Sequence, residues 1–225
     1  MRDLSELRVM ILRNCQLKAA GLADLKHLPK LEHLVLGYST IGDEGLKALG
    51  QLRGLRRISC GHSQITGRHI GQLANLPSLQ SLWLGGPLVE DRFMSDLIYL
   101  KALTAINLPQ TRVGDDTAIV LSRMKQLTRV NMTSTQIGRD GLAALATLPN
   151  LRALHISGNT LEGDALEVLA GCRKLTWLTI DAKDISDDTI EALKQVTTLK
   201  SVSVKGDDAR RKQLQRALPN VDVRR

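Results

Sequence analysis

Leucine recurs every 24 residues along nearly the whole chain, and this spacing limits the possible fold more than any other feature. Nine leucines keep the interval with no insertion between them. A fixed period of this length is typical of repeat proteins in which each unit packs only against its neighbours. The sequence therefore predicts a single domain over residues 1–225, with repeats that start at Leu7, Leu31, Leu55, Leu79, Leu103, Leu127, Leu151, Leu175 and Leu199.

Each repeat follows the frame LxxLxLxxTxIGDxGLxxLxxLP, whose two halves differ in periodicity. The first half alternates apolar and polar residues, which predicts a short strand with one buried face. The second half places apolar residues three apart, as in Leu46 and Leu49, which predicts a short helix. An acidic pair such as Asp43-Glu44 marks the helix start, where carboxylates favour the exposed N–H groups. Leu-Pro, as at Leu76-Pro77, ends the helix.

Units such as LEHLVLGYSTIGDEGLKALGQL and LTRVNMTSTQIGRDGLAALATLPN resemble the leucine-rich repeat family, in its ribonuclease-inhibitor-like branch, over essentially the whole chain. They are similar to bacterial 24-residue repeats, including the GALA-type repeats of bacterial F-box effectors, and to the repeats of eukaryotic F-box proteins. The resemblance implies an α/β fold, a right-handed horseshoe solenoid of nine repeats. A parallel sheet would line its concave side, with short helices on the convex side. Strands pack about 4.8 Å apart and helices about 8–10 Å apart, so such a stack is expected to curve.

The two ends of the chain lead to different expectations. Leu4 already matches the last apolar position of a preceding repeat, so an N-terminal cap is missing from the sequence. We therefore expect a fragment of a larger protein, or a chain in which other domains of the same parent precede these repeats. Residues 210–225 shorten the last repeat and are predicted to form a basic C-terminal cap. They belong to the stretch ARRKQLQRALPNVDVRR, which begins at Ala209.

Composition predicts an intracellular protein. Cys15, Cys60 and Cys172 are odd in number and far apart, so neither a disulfide framework nor a zinc site is expected. The start of the chain lacks the pattern of a secretory signal, and no apolar run approaches the length of a membrane span. We expect a cytoplasmic location, or delivery into a host cytosol if the chain belongs to an effector. The net charge of +8 is compatible with an acidic partner.

Catalytic motifs are absent from the sequence, so we predict that the protein is not an enzyme and has no cofactor or metal ion. The acidic pairs Asp43-Glu44, Asp115-Asp116 and Asp187-Asp188 recur at one position of the repeat. Helix capping explains them better than acid–base chemistry. The five histidines share no metal-ligand spacing, and the three cysteines occupy structural positions of the frame.

Candidate binding residues follow from strand alternation. If the fourth and sixth residues of each repeat point into the core, the third, fifth and seventh face the concave side. Both tryptophans of the chain fall at such positions, and tryptophan is common in binding hot spots. An alternative is that the indoles only shield neighbouring strands. Gly37, Gly61 and Gly85 would leave a shallow floor beside them. The predicted partner-binding residues are Trp83, Trp177, Arg57, Arg129, Asn131, His155 and His33.

Charge is predicted to differ between the two edges of the sheet. Acidic residues lie where helices start: Asp43, Glu44, Glu90, Asp91, Asp115, Asp116, Asp140, Glu162, Asp164, Asp187 and Asp188. Basic residues, called the basic edge below, lie where helices lead into strands: Arg8, Lys30, Arg53, Arg56, Arg57, Lys101, Lys125, Arg129, Arg152, Arg173, Lys174 and Lys200. This polarity either complements the helix dipoles or steers an acidic partner.

These observations favour a non-enzymatic protein–protein interaction module, the recognition domain of a larger intracellular protein, with its ligand on the concave face. Substrate-recognition repeats of an F-box-type ubiquitin-ligase effector are one alternative, although no F-box-like helical segment occurs in these residues. Nucleic-acid binding through the basic edge is another, disfavoured because aromatic residues do not alternate with the basic ones. A structural spacer that binds nothing is the third.

Overall fold

The computed structural model describes residues 4–17, 19–161 and 164–225, and the chain divides into two compact units, Met1–Arg112 and Val113–Arg225. Each unit contains five parallel strands and an apolar core. The α/β repeat architecture predicted from the sequence is confirmed in each of them. The single-domain organisation and the count of nine repeats stay predictions.

In the described part of the first unit, five short strands pair in parallel and in chain order. Each covers the third to fifth residues of its repeat, so equivalent residues stand side by side, as Leu34 does beside Ile58. This register follows from the constant repeat length, because each turn of chain returns to the same height. The strands are β1 (Val9–Ile11), β2 (His33–Val35), β3 (Arg57–Ser59), β4 (Ser81–Trp83) and β5 (Ala105–Asn107).

Among the described residues of the second unit, five further parallel strands repeat this arrangement. Two neighbouring strands extend to five residues, which places Asp181 beside Lys205 at their ends. The last strand belongs to the segment predicted to be a cap, and Gln215 ties it down by accepting a hydrogen bond from Val223 N. The strands are β6 (Arg129–Asn131), β7 (Ala153–His155), β8 (Trp177–Asp181), β9 (Ser201–Lys205) and β10 (Asp222–Arg224).

The second half of each repeat forms the predicted helix, but not always an α-helix. The α-helices are α1 (Ala19–Ala23), α2 (Gly42–Leu49), α3 (Asp115–Ser122), α4 (Arg139–Ala146), α5 (Asp187–Gln195) and α6 (Asp208–Ala217). Tighter 3-10 turns replace or extend them at Asp24–His27, Ile70–Asn75, Asp91–Phe93, Ser95–Tyr99 and Ala165–Gly171, and a further 3-10 turn, Ala182–Asp184, follows strand β8. The segment Ala165–Gly171, ALEVLAG, consists mainly of good α-helix formers. Tertiary packing therefore decides the helix type here.

The leucine positions of the frame form the core as predicted. In the first unit Leu34, Leu36, Leu82 and Leu84 are almost completely buried, and Leu154 and Leu178 have the same role in the second. Buried apolar area of this kind is the main driving force of folding. Each repeat buries its leucines only against the neighbouring repeats. A continuous core therefore requires the leucines to recur at a fixed spacing.

Two of the acidic pairs lie in the first turn of their helix, as predicted, and their first residues also join successive repeats. Asp43 Oδ1 accepts hydrogen bonds from Thr66 N at 3.0 Å and Gly67 N at 3.1 Å, and Asp43 Oδ2 accepts one from Thr66 Oγ1 at 2.7 Å. In the second unit Asp115 accepts from Gly138 N at 2.7 Å. These carboxylates therefore bind backbone N–H groups of the following repeat, a contact that the capping interpretation did not include. Glu162, of the same acidic group, lies outside the described residues.

Replacing Asp43 with alanine is expected to lower the free energy of unfolding by about 1–2 kcal/mol, since two backbone N–H groups lose a charged acceptor. Chemical denaturation followed by circular dichroism would measure the change. Glu44 is the matched control, because its contacts with Lys47 and His69 are exposed ion pairs. Its replacement with alanine should change stability by less than about 0.5 kcal/mol. Equal losses in the two variants would contradict the role assigned to Asp43.

Candidate functional site

Strand alternation leaves one face of the strands open in each unit, and the predicted binding residues are divided between the two units. The first sheet face carries the third, fifth and seventh residues of the repeats that contain β1–β5, including His33, Arg57 and Trp83. The second sheet face carries the equivalent residues of β6–β9, including Arg129, Asn131, His155 and Trp177. The seven residues therefore form two groups, which are separate candidates.

Trp83 is the largest side chain of the first sheet face and keeps 46% of its surface exposed. Its strand neighbours are Ser59 and Asn107, which are small enough to leave the indole uncovered. The indole leans along the sheet over two glycines. Its Nε1 lies 3.2 Å from the point where a Cβ of Gly85 would stand, and 3.5 Å from that of Gly61. The predicted shallow floor is thus filled at these two glycines by Trp83 itself.

His33 and Arg57 stand side by side on β2 and β3. His33 is half-buried, whereas Arg57 is exposed and its side chain forms no hydrogen bond or ion pair with any described residue. Other residues of the basic edge are paired: Arg8 with Glu32 at 2.9 Å, and Lys30 with Glu6 at 2.6 Å. The basic edge is therefore partly neutralised in the first unit, but no described carboxylate pairs with Arg57.

On the second sheet face, Trp177 and His155 form an edge-to-face pair. The ring centroids are 5.6 Å apart with an interplanar angle of 61°, a favourable geometry for aromatic rings. Trp177 is 46% exposed, and its strand neighbours Ala153 and Ser201 are too small to cover it. The alternation of large and small side chains across the strands gives the indole its exposed position.

The His155 imidazole is held in place, and its surroundings favour the neutral form. Its Nδ1 shares a hydrogen bond of 2.8 Å with Thr179 Oγ1 on β8. Burial lowers the pKa of His155 below its usual value, and the positive charges of Arg129 and Lys205 lower it further. A neutral ring at physiological pH suits hydrogen bonding with a partner better than ion pairing. Asn131, the strand neighbour of His155, turns its Oδ1 back to accept from Thr133 N at 2.9 Å.

The structure places a further aromatic pair beside the first sheet face, at a position outside the predicted set. Tyr38 and His62 stack with ring centroids 5.0 Å apart and an interplanar angle of 7°. His62 Nε2 also shares a hydrogen bond of 3.1 Å with Gln110 Oε1. All three are the eighth residues of their repeats and take a left-handed backbone conformation, with φ between 56° and 60°. This conformation costs about 1–2 kcal/mol in a residue with a side chain.

A sequence signal for this turn exists. The equivalent position holds Asn14, Gly86, Gly158 and Gly206, which are the residue types that favour a left-handed conformation. The signal locates the turn but says nothing of the stacking, because two residues in adjacent repeats meet only once the repeats are packed. Sequence reasoning limited to the third, fifth and seventh positions therefore missed Tyr38 and His62.

Two of the three thiols have environments that do not suit nucleophilic chemistry. Burial raises the pKa of Cys60 to about 12 and that of Cys172 to about 11, so both stay protonated at neutral pH. Within residues 4–17, 19–161 and 164–225, no group of three or more potential ligand residues could hold a metal ion. The helices described there are all too short or too polar to cross a membrane.

The comparisons with known proteins agree with this geometry. A family model with the description "Leucine Rich repeat" matches residues 27–50, 125–146 and 147–170. The crystal structure of internalin C2 from Listeria monocytogenes is similar in fold, with a TM-score of 0.62 and 24% sequence identity over 80% of this chain and 73% of that chain. A search of curated protein sequences gives no match. The parallel strands and short helices found in both units are consistent with these two matches.

Proposed function

We propose that this chain, in which three segments match the leucine-rich repeat model, is a non-enzymatic protein-interaction module whose open sheet faces bind a protein or peptide partner. The main support is that each sheet face carries one tryptophan with nearly half of its surface exposed. An exposed indole is unfavourable in water and is typical of binding hot spots when a partner covers it. A location in the cytosol and membership of a larger parent protein are part of the same proposal.

The tryptophans provide the direct test. In affinity capture from an extract of the source organism, replacing Trp83 or Trp177 with alanine is expected to weaken retention of the partner by about 10- to 100-fold, which is typical of a hot-spot residue. Single variants show which sheet face binds. Tyr99 is the matched control, because it is 59% exposed but belongs to the 3-10 turn Ser95–Tyr99 on the helical side.

The outcomes separate a binding module from a structural spacer. If the variant with both tryptophans replaced retains every partner as the wild type does, the sheet faces do not bind and the proposal is wrong. If the Tyr99 variant loses the same partners, binding takes place on the helical side. Circular dichroism of each variant should match the wild type, since the replaced side chains lie outside the core.

Nucleic-acid binding through the basic edge is a second candidate, supported by one observation in the second unit. Among its described residues, Lys125, Arg152, Arg173, Lys174 and Lys200 form no ion pair with a carboxylate, unlike Arg8 and Lys30 in the first unit. A gel-shift titration with short DNA and RNA duplexes at low salt tests it, since electrostatic binding is strongest there. No shift at low salt rules it out. The F-box alternative stays a prediction that depends on sequence outside these residues.

A further inference from the structure

The first sheet face carries several exposed apolar side chains that are not needed to form the core. Val9 is 47% exposed and Ile11 61% exposed on β1, and Trp83 stands on β4 of the same sheet. Tyr38, in the turn that follows β2, is 64% exposed. Clusters of exposed apolar side chains on a soluble protein are usually binding surfaces.

The stacked Tyr38 and His62 rings extend this apolar surface beyond the strands. The two rings belong to adjacent repeats and are almost parallel, with an interplanar angle of 7°. The bond from His62 to Gln110 holds the second ring in place. A preformed arrangement of this kind loses little conformational entropy when a ligand covers it. Trp83 and the stacked pair therefore provide two fixed apolar contacts in successive repeats.

The charges on the same surface have one sign. The third, fifth, seventh and eighth positions of the five repeats contain arginine and histidine but no aspartate or glutamate. Arg13 and Arg57 form no ion pair with a carboxylate among the described residues of the unit. The nearest repeat position with acidic residues, the second, holds Glu32, which is already bound to Arg8 and Arg56. A negatively charged partner would therefore complement this surface.

The second sheet face lacks this uniformity. Asp181 lies at its seventh position beside Lys205, and the two opposite charges are strand neighbours. Trp177 is accompanied there by a neutral imidazole rather than by an unpaired arginine in an adjacent strand. Charge complementarity therefore distinguishes the two faces and points to the first one.

From this combination we infer that the first sheet face binds an extended acidic peptide segment of a partner protein, in which carboxylates alternate with apolar or aromatic side chains. Arg13 and Arg57 pair with the carboxylates, and Trp83 and the Tyr38–His62 stack cover the apolar side chains. The inference rests on the proposed function and specifies its partner. From β1 to β5 the surface spans four strand spacings of about 4.8 Å, or about 19 Å, which an extended peptide of about six residues covers.

A peptide array tests the inference directly. The probes are peptides of about eight residues, slightly longer than the sheet is wide, in which Asp or Glu alternates with Leu, Phe or Tyr. Two matched sets carry Gln or Lys in place of the acidic residues. The labelled full chain is expected to bind the acidic set preferentially at low salt and to lose that preference as salt screens the charges. Fluorescence anisotropy then gives the affinity of the best acidic peptide.

Arg57 and Arg68 provide a matched pair of variants, because both are exposed arginines of the first unit and only Arg57 belongs to a strand of the sheet. Arg57→Gln should weaken binding of the best acidic peptide by roughly threefold to fivefold, as expected for an ion pair at a partly desolvated surface, whereas Arg68→Gln should not. Trp83→Ala should weaken it by at least about tenfold. The salt dependence of the Arg57 variant should be smaller than that of the wild type.

Several results would overturn the inference. Equal binding of the Gln set, or equal losses in the Arg57 and Arg68 variants, would show that carboxylates are not recognised at this face. Absence of binding to any set, combined with capture of a partner that depends on Trp83 or Trp177, would reject the acidic segment and leave the proposed function standing. Failure of both experiments would reject both proposals.

Discussion

Replacement of Asn159 with alanine is expected to lower the free energy of unfolding by about 2–4 kcal/mol, because buried backbone groups would lose their partners. Asn159 is 2% exposed, at the ninth position of its repeat. Its Nδ2 donates to Met132 O at 2.8 Å and to Ile156 O at 2.7 Å. Its Oδ1 accepts from Thr135 N at 2.9 Å and Thr135 Oγ1 at 3.0 Å. One side chain thus joins two successive repeats.

Urea denaturation followed by far-UV circular dichroism would measure this loss. Thr160 is the control, because it is the exposed neighbour of Asn159 and its replacement with alanine should change stability by less than about 0.5 kcal/mol. Asn159→Ser should recover part of the loss, since Ser39 and Ser63 bind the preceding repeat at the same position through their hydroxyl groups. An unchanged denaturation midpoint for the alanine variant would show that these bonds add nothing.

Replacement of Asp184 with asparagine is expected to stabilise the protein at neutral pH by about 1–3 kcal/mol. Asp184 is 9% exposed, and its Oδ2 has no hydrogen-bond partner in the described part of the chain. Burial raises the pKa of Asp184 to about 6. Two smaller effects oppose each other: the positive charge of Lys183 lowers this pKa, and the negative charge of Asp181 raises it. An ionised carboxylate in this place is unfavourable, whereas a neutral amide of the same shape avoids the cost.

The sign of the pH dependence follows from the same shift. Because the pKa of Asp184 is about 6 in the folded state and its ordinary value is 3.8, the folded state binds more protons than the unfolded state between these values. The contribution of Asp184 to stability is therefore greatest below about pH 4, and is lost as the pH rises through about 6. In Asp184→Asn this part of the profile should disappear, whereas it should persist in Asp188→Asn, which changes an exposed carboxylate.

Thermal unfolding of both variants from pH 4 to pH 8 tests the prediction. If Asp184→Asn is less stable than the wild type at pH 7, the carboxylate is stabilised by its contact with Lys183 Nζ at 4.0 Å, and the assignment of an unfavourable charge is wrong. Equal pH profiles for the two variants would lead to the same conclusion.

Asp43 illustrates how far sequence reasoning reached. The repeat frame correctly located the helix start near this residue, since α2 begins at Gly42. It assigned the carboxylate to the same helix, because local capping is the commonest use of an acidic residue there. The partner is instead the backbone of the next repeat, at Thr66 and Gly67. Contacts between residues in different repeats depend on the packing of the repeats, which a single frame does not contain.

The candidate site shows the same division. Alternation within a strand was enough to predict that Trp83 and Trp177 avoid the core, and each is 46% exposed. The two tryptophans lie in different compact units, so each is a separate candidate. The sequence did not predict that Trp83 lies over Gly61 and Gly85. Side-chain direction beyond the Cβ is set by neighbouring strands rather than by periodicity.

The sequence by itself determined the repeat, the core leucines, the strand positions and the face on which each tryptophan stands. These depend only on a constant period and on the burial of apolar side chains, which act within every repeat alike. Tertiary structure alone decided which repeats form 3-10 turns, how Asp43 and Asn159 join successive repeats, and that Tyr38 stacks on His62. These features arise from contacts between residues about one repeat apart, whose geometry exists only after the repeats have packed.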